Sequence, residues 1–426
     1  MTLSVIALVA VALCCTAPEF VVALVLSATS VFGADYFSVR VAGLPFSLGF
    51  PEALGILCLL AGVAATLRRS TRVSFPSATL AALGLAAAWL VAAALSSPAS
   101  VGSMLRYALA AGIPGAGALA GAAMLSATRR GQIAILSGLF AAGLLASISA
   151  FVEAILGRNL VVELGLRMGD QPLALSGLAR LGIQRVSGAF DHPILLGVFI
   201  GLTIMVTMEL MRQGKLSVRT GLVLLLLQFS AQVLTVSRAP ILATLMMASM
   251  WMLARLGASR GVRAALFVVV ALSLASMTLL VPAEGYGSGW QASGHLDANT
   301  AYRIGLTRAL AARIASAPLL GSTQPTKASN LLPGFVSLDN EPAYLLASGG
   351  LFGLLILTVL LLEPLVHGGT KGLSSMYVRS SVLLLLLVGT TVAFFGLLVP
   401  YMFVVLGLTW GRLASPEEEA QQLNAT

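Results

Sequence analysis

QIAILSGLFAAGLLASISAFVEAIL, residues 132–156, carries a single charged side chain, Glu153, close to its end. Crossing the hydrocarbon core of a bilayer, about 30 Å thick, takes about 20 apolar residues in helical form. This run is long enough. Comparable apolar spans are read at 3–33, 47–67, 78–95, 105–126, 194–210, 220–236, 239–254, 264–282, 343–362, 380–397 and 400–413. With 58% hydrophobic residues and a mean hydropathy of +0.97, the chain reads as an all-α polytopic integral membrane protein of about 12 transmembrane helices. A net charge of +9 suggests nucleic acid in a soluble protein. Here the basic residues sit mostly in short loops between spans, so membrane orientation accounts for them and no nucleic-acid partner is expected.

Those loops alternate in charge. Arg68, Arg69, Arg72, Arg129, Arg130, Arg212, Lys215, Arg219, Arg255, Arg260, Arg263, Lys371, Arg379 and Arg412 fall on one side, which is 14 of the 25 basic residues. The short loops of the other side hold only Arg40, Arg106 and Arg238. The basic side is therefore read as cytoplasmic, with both termini inside. The expected organisation is N-terminal helices (1–156), a first long periplasmic loop (157–193), central helices (194–282), a large periplasmic loop with short helices (283–342), C-terminal helices (343–413) and a cytoplasmic tail (414–426). The first span, 3–33, is interrupted by Pro18-Glu19 and reads either as one broken helix, which keeps this parity, or as two short ones. No repeat of 20 to 50 residues is visible.

Charge deep in a membrane marks ion or substrate pathways, and here it is sparse. Glu52, Glu153 and Glu209 fall near span ends, within reach of an interface. Cys14, Cys15 and Cys58 lie inside apolar runs, and His192, His295 and His367 are far apart, so no metal site and no cofactor are expected. The outward loops are instead rich in arginine, whose planar fork matches phosphate. The alternative is contact with lipid head groups or loop carboxylates. In the large loop, Asn299 or Thr300 caps a helix running to about Ala317, stopped by Pro318 and Gly321. Arg303, Arg308 and Arg313 turn about 140° per step on it, so a ligand meets one or two of them; Arg303, nearest the N-terminus, is the candidate. Asp339, before Asn340, Glu341 and Pro342, is either a general base at the lip of a low-dielectric cavity or the N-cap of the next span.

The order of these pieces resembles that of the bacterial O-antigen ligase and O-antigen polymerase family of membrane glycosyltransferases. The segment Arg185-Val186-Ser187-Gly188-Ala189-Phe190-Asp191-His192-Pro193 with Leu196-Gly197 is similar to the family's entry into the span after the first long loop. Thr235-Val236-Ser237-Arg238-Ala239 resembles its Ser-Arg signature. Tyr302-Arg303, Pro318-Leu319-Leu320-Gly321, Asp339-Asn340 with Tyr344-Leu345, and Gly349-Gly350 with Gly353 follow in order.

The resemblance implies transfer of a glycan from an undecaprenyl-pyrophosphate carrier at the periplasmic face of the bacterial inner membrane, with neither metal nor nucleotide sugar. It implies pyrophosphate binding by Arg185, Arg238 and Arg303, catalysis by Asp339, and support from His192, Asn340 and Tyr344. A chain-length regulator and a flippase are the accessory partners such a role implies. Ligases of the family carry His before the closing Asn, where this chain has Asp339. That departure leans toward the branch that polymerises repeat units of O-antigen or exopolysaccharide. The alternatives are ligation of finished glycan to lipid A-core, and a polysaccharide transporter or flippase.

Overall fold

A computed structural model describes residues 12–32, 39–40, 47–69, 113–161, 163, 179–180, 183–190, 192–255, 308–309, 311–312, 314–316, 318–319, 341–367, 373, 375–389 and 398–410. These residues are overwhelmingly helical. In chain order they form α1 (Pro18–Phe32), α2 (Phe50–Arg69), α3 (Ala118–Ser126, led in by a wide turn Ile113–Gly117), α4 (Arg129–Leu156) and α5 (Pro193–Arg212). Then come α6 (Val218–Leu234), α7 (Arg238–Arg255), α8 (Glu341–His367), α9 (Ser375–Gly389) and α10 (Leu398–Trp410). Two antiparallel pairings of two residues each, β1 (Val39–Arg40) with β2 (Ser47–Leu48) and β3 (Ala179–Arg180) with β4 (Ile183–Gln184), sit in the connections.

Among the described residues, three helices, within α2, α4 and α5, can cross a membrane by length and composition; seven further apolar helices span 10–17 residues. The expected spans at 78–95 and 264–282 lie outside the described residues. Large apolar side chains stand exposed on the outer faces of several helices, among them Ile148 and Ile155 on α4, Leu222 and Leu226 on α6, and Leu351 and Leu355 on α8. Surfaces of this kind are compatible with a membrane location and ill suited to water. At the start of α1 the chain continues through the Pro18 break: Ala17 donates to the Leu13 carbonyl and Val21 to that of Ala17, so residues 12–32 run on as one interrupted helix.

The helices pack around α5, which buries 89% of its membrane-length window against 44% for α2 and 50% for α4. It contacts α4, α6, α7 and α9. Between α5, α6 and α7 the contact is partly polar. Gln232 Nε2 lies 2.8 Å from the Gly197 carbonyl and 2.8 Å from Thr244 Oγ1, and Thr207 Oγ1 donates to Gln228 Oε1 at 2.9 Å. Side chains of this type bond helix to helix where no water competes.

On the other flank, small residues let backbones meet. A Cβ added at Gly121 of α3 would overlap the Cys58 carbonyl of α2, and one at Gly62 would come within 2.8 Å of the Gly121 Cα. Tyr401 on α10 is fully buried and donates to the Leu26 carbonyl of α1 at 2.6 Å. Helix α8 is broken at Gly350 (φ 60°, ψ −160°), a conformation open in practice to glycine alone. Beyond the break Leu351 and Phe352 donate to the carbonyls of Pro318 and Leu319, tying the large loop to the Gly-rich stretch.

Gly121→Val is expected to force α2 and α3 apart at a cost of about 3 kcal/mol, at the upper end for overpacking. Thermal unfolding in detergent checks this; a melting temperature equal to that of the unmodified chain would contradict the close backbone contact.

Candidate functional site

Four helix termini meet at one end of the bundle: the C-termini of α4 and α6 and the N-termini of α5 and α7. The segment 184–190 crosses between them. Glu153, in the last turn of α4, is 6% exposed. A carboxylate there faces the negative end of its own helix dipole, so it needs donors. It has three, all on Oε2: the backbone N–H of Gly188 at 2.7 Å, that of Ser187 at 3.1 Å, and Asn159 Nδ2 at 3.1 Å. Gly188 adopts φ +56°, which lets successive N–H groups converge on one anion as a nest. Asn159 Nδ2 also lies 2.7 Å from the Gly188 carbonyl and 3.2 Å from Ser187 Oγ.

Two residues earlier, Arg185 reaches the α6–α7 turn. Its Nε donates to the Thr235 carbonyl at 2.9 Å and its Nη2 to Ser237 Oγ at 2.8 Å. The Val186 N–H adds a longer bond to the Leu234 carbonyl, 3.4 Å. The turn itself is strained: Val236 has φ +49°, and β-branched residues rarely enter the left-handed region. Such a residue costs on the order of 1–3 kcal/mol and persists because its surroundings over-determine it. Val236 donates to the Val233 carbonyl at 2.9 Å, Thr235 Oγ1 to that of Gln232 at 2.7 Å, and Arg185 holds the carbonyl and hydroxyl on either side.

The next residue, Arg238, opens α7 and is partly exposed. Among the described residues its side chain makes no hydrogen bond or ion pair, so its charge adds to the positive end of the helix. His192 caps α5: Nδ1 accepts the Ile194 N–H at 3.2 Å, and Pro193 occupies the first helical position, where no N–H is needed. Burial, and then the charge of Arg185, pull the His192 pKa from its usual 6.5 down to about 4. The ring is therefore neutral near pH 7. With Nδ1 accepting, its proton sits on Nε2, leaving a donor there and not a base.

Of the residues named from sequence, the structure brings Arg185, Arg238 and His192 to this one end. Tyr344 falls in the first turn of α8, while Arg303, Asp339 and Asn340 lie outside the described residues. Arg158 pairs with Glu163 at 3.3 Å on an exposed surface, which fits a loop-carboxylate role for that arginine. Sequence reading missed Asn159 and Ser237 as members of the site. It also placed Glu153 and Glu209 within reach of an interface, and both are buried: Glu153 in the nest, and Glu209, 0% exposed, gripped by Arg212 at 2.7 and 2.8 Å. A carboxylate in an otherwise apolar run, followed some 35 residues on by Ser-Gly, was the available signal. Comparison of the chain with protein-family models and with curated proteins finds no match.

Val236→Gly is expected to raise the unfolding free energy by about 1 kcal/mol by releasing strain; a denaturation midpoint below the parent's would show that the turn is not strained. The folded pKa of His192, about 4, lies below the unfolded 6.5, so between those values the unfolded chain holds more protons. The cap's contribution is complete above pH 6.5 and falls as pH drops toward 4. His192→Asn, which keeps a capping acceptor, should flatten that pH dependence, while His192→Ala should lose about 1 kcal/mol at pH 7. Melts across pH 4–7 distinguish the three chains.

Proposed function

We propose that the protein is a membrane glycosyltransferase that polymerises undecaprenyl-pyrophosphate-linked oligosaccharide repeat units of O-antigen or exopolysaccharide. In this reading it spans the bacterial inner membrane about twelve times, with both termini in the cytoplasm and both long loops in the periplasm. One observation carries the reading. Arg185 and Arg238, about fifty residues apart, belong to one hydrogen-bonded turn at a helix N-terminus, and Arg238 is left without a partner among the described residues. A cation presented this way, at the start of the helix whose leading turn Arg185 grips, suits a pyrophosphate.

In the reaction, an acceptor hydroxyl at the non-reducing end of one repeat unit attacks the anomeric carbon of the chain on a second carrier. The new C–O bond forms as the bond from that carbon to the pyrophosphate oxygen breaks. The hydroxyl proton passes to Asp339, and the carrier leaves as undecaprenyl pyrophosphate. Arg238, with Arg303, stabilises the charge that builds on the leaving group, an interaction that strengthens toward the transition state. No nucleotide is consumed, because the carrier linkage supplies the activated bond.

A strain lacking the gene should make surface glycans of one repeat at most, seen by gel electrophoresis of extracted glycans. Long carrier-linked chains in that strain would sink the polymerase reading, and bare lipid A-core beside them would support the ligase. In the purified protein, Arg238→Ala should slow donor turnover about 100-fold, in line with the loss of one oxyanion-type contact. Asp339→Asn should abolish transfer without changing expression.

A further inference from the structure

We propose that Glu153 is a positioning residue for the anion site, acting through Arg185 and the strained Val236 turn to set Arg238. The inference rests on the pyrophosphate reading above. Its basis is a chain of contacts whose side-chain links run from 2.7 to 3.1 Å. The Glu153 carboxylate fixes the amides of Ser187 and Gly188 at 3.1 and 2.7 Å. Those amides are two and three residues from Arg185, and Val186 between them is bonded to Leu234. The Arg185 guanidinium then grips Thr235 and Ser237, at 2.9 and 2.8 Å, on both sides of Val236. Ser237 is followed directly by Arg238.

The choice of a carboxylate is informative. Among the described residues Glu153 makes no ion pair, and it sits where its own helix end disfavours negative charge. An apolar residue would avoid that cost. What the carboxylate supplies is an acceptor strong enough to draw two consecutive N–H groups onto one point, which forces Gly188 into its left-handed conformation. That conformation aims the chain so that Arg185 meets the α6–α7 turn. Without it the two bonds that frame Val236 slacken, and the valine relaxes toward an ordinary β or α conformation, carrying Arg238 with it. Phe190, buried against Phe199 with ring centroids 4.9 Å apart, anchors the far end of the segment, so the slack is taken up at Arg185.

The test measures binding of undecaprenyl pyrophosphate to the full chain in phosphatidylethanolamine–phosphatidylglycerol nanodiscs, with undecaprenol as the uncharged control. Glu153→Ala should weaken binding about tenfold, the loss expected for charge-assisted hydrogen bonds. Glu153→Gln, which keeps the side-chain shape but offers a weaker, uncharged acceptor, should lose an intermediate amount, about threefold. It also remains informative if the alanine variant does not fold. In an Arg238→Ala background neither change should matter further, because the group they position is gone. Equal losses in both backgrounds would mark Glu153 as a purely structural prop and overturn the inference. So would unchanged binding by Glu153→Ala in a parent that does prefer the pyrophosphate. A parent with no preference for undecaprenyl pyrophosphate over undecaprenol would remove the site reading itself, and the positioning role with it.

Discussion

Helix α5 has almost no surface left for lipid, so every polar group it carries must find its partner inside the protein. That requirement organises the middle of the chain. Thr203 and Thr207 fold their hydroxyls back to the carbonyls of Ile200 and Thr203, and both meet Gln228 of α6. The Gly197 carbonyl, one turn from the helix start, takes the Gln232 amide. Both ends are closed as well, by His192 with Pro193 at one and by Glu209 with Arg212 and Gln213 at the other. A helix fixed this way along its length is a rigid support, and its N-terminus is the natural place to hang a site needing sub-ångström placement.

The site lies where helices end because only there does an apolar bundle offer free N–H groups and turns. The contrast with the surface is one of magnitude. The Arg158–Glu163 pair, open to solvent, contributes about 0–1 kcal/mol. A buried hydrogen bond to a charged group contributes about 1.5–3 kcal/mol, and Glu153 and Arg185 are both charged groups that spend their bonds on backbone or turn atoms. Neither is a surface ornament. Together they convert the position of a helix end into the conformation of a turn two helices away.

Much of this was legible in the sequence, and what was not has a common cause. The run 132–156 announced α4, and 194–210 announced α5, because hydropathy over twenty residues reports burial directly. His192-Pro193 could be read as a helix start from residue types alone. Glu153 could not be read correctly: hydropathy says that a carboxylate near a span end can reach water, but not that Ser187 and Gly188 will reach it first. That depends on which loops meet and on φ at Gly188. Val236 is harder still, since a β-branched residue argues against the left-handed turn it adopts, and only the bonds that frame it, those of Arg185 among them, account for it. Long-range hydrogen bonds leave no periodic trace.

The two arginines at this end of the bundle are held differently. Arginine motifs invite the reading that each guanidinium faces a ligand. In the folded chain Arg185 commits Nε and Nη2 to Thr235 and Ser237, which makes it a strap as well as a charge. Arg238, one residue past Ser237, stands on the helix that the strap holds in place. An interior that moved substrate by alternating access would need ionisable groups that exchange partners near the middle of the membrane. The described polar contacts between α5, α6 and α7 are instead neutral amides and hydroxyls bonded helix to helix, and the charges are held at the two ends. Among the described residues, fixed ends and a locked middle make α5, α6 and α7 a rigid support for the turn that Arg185 straps.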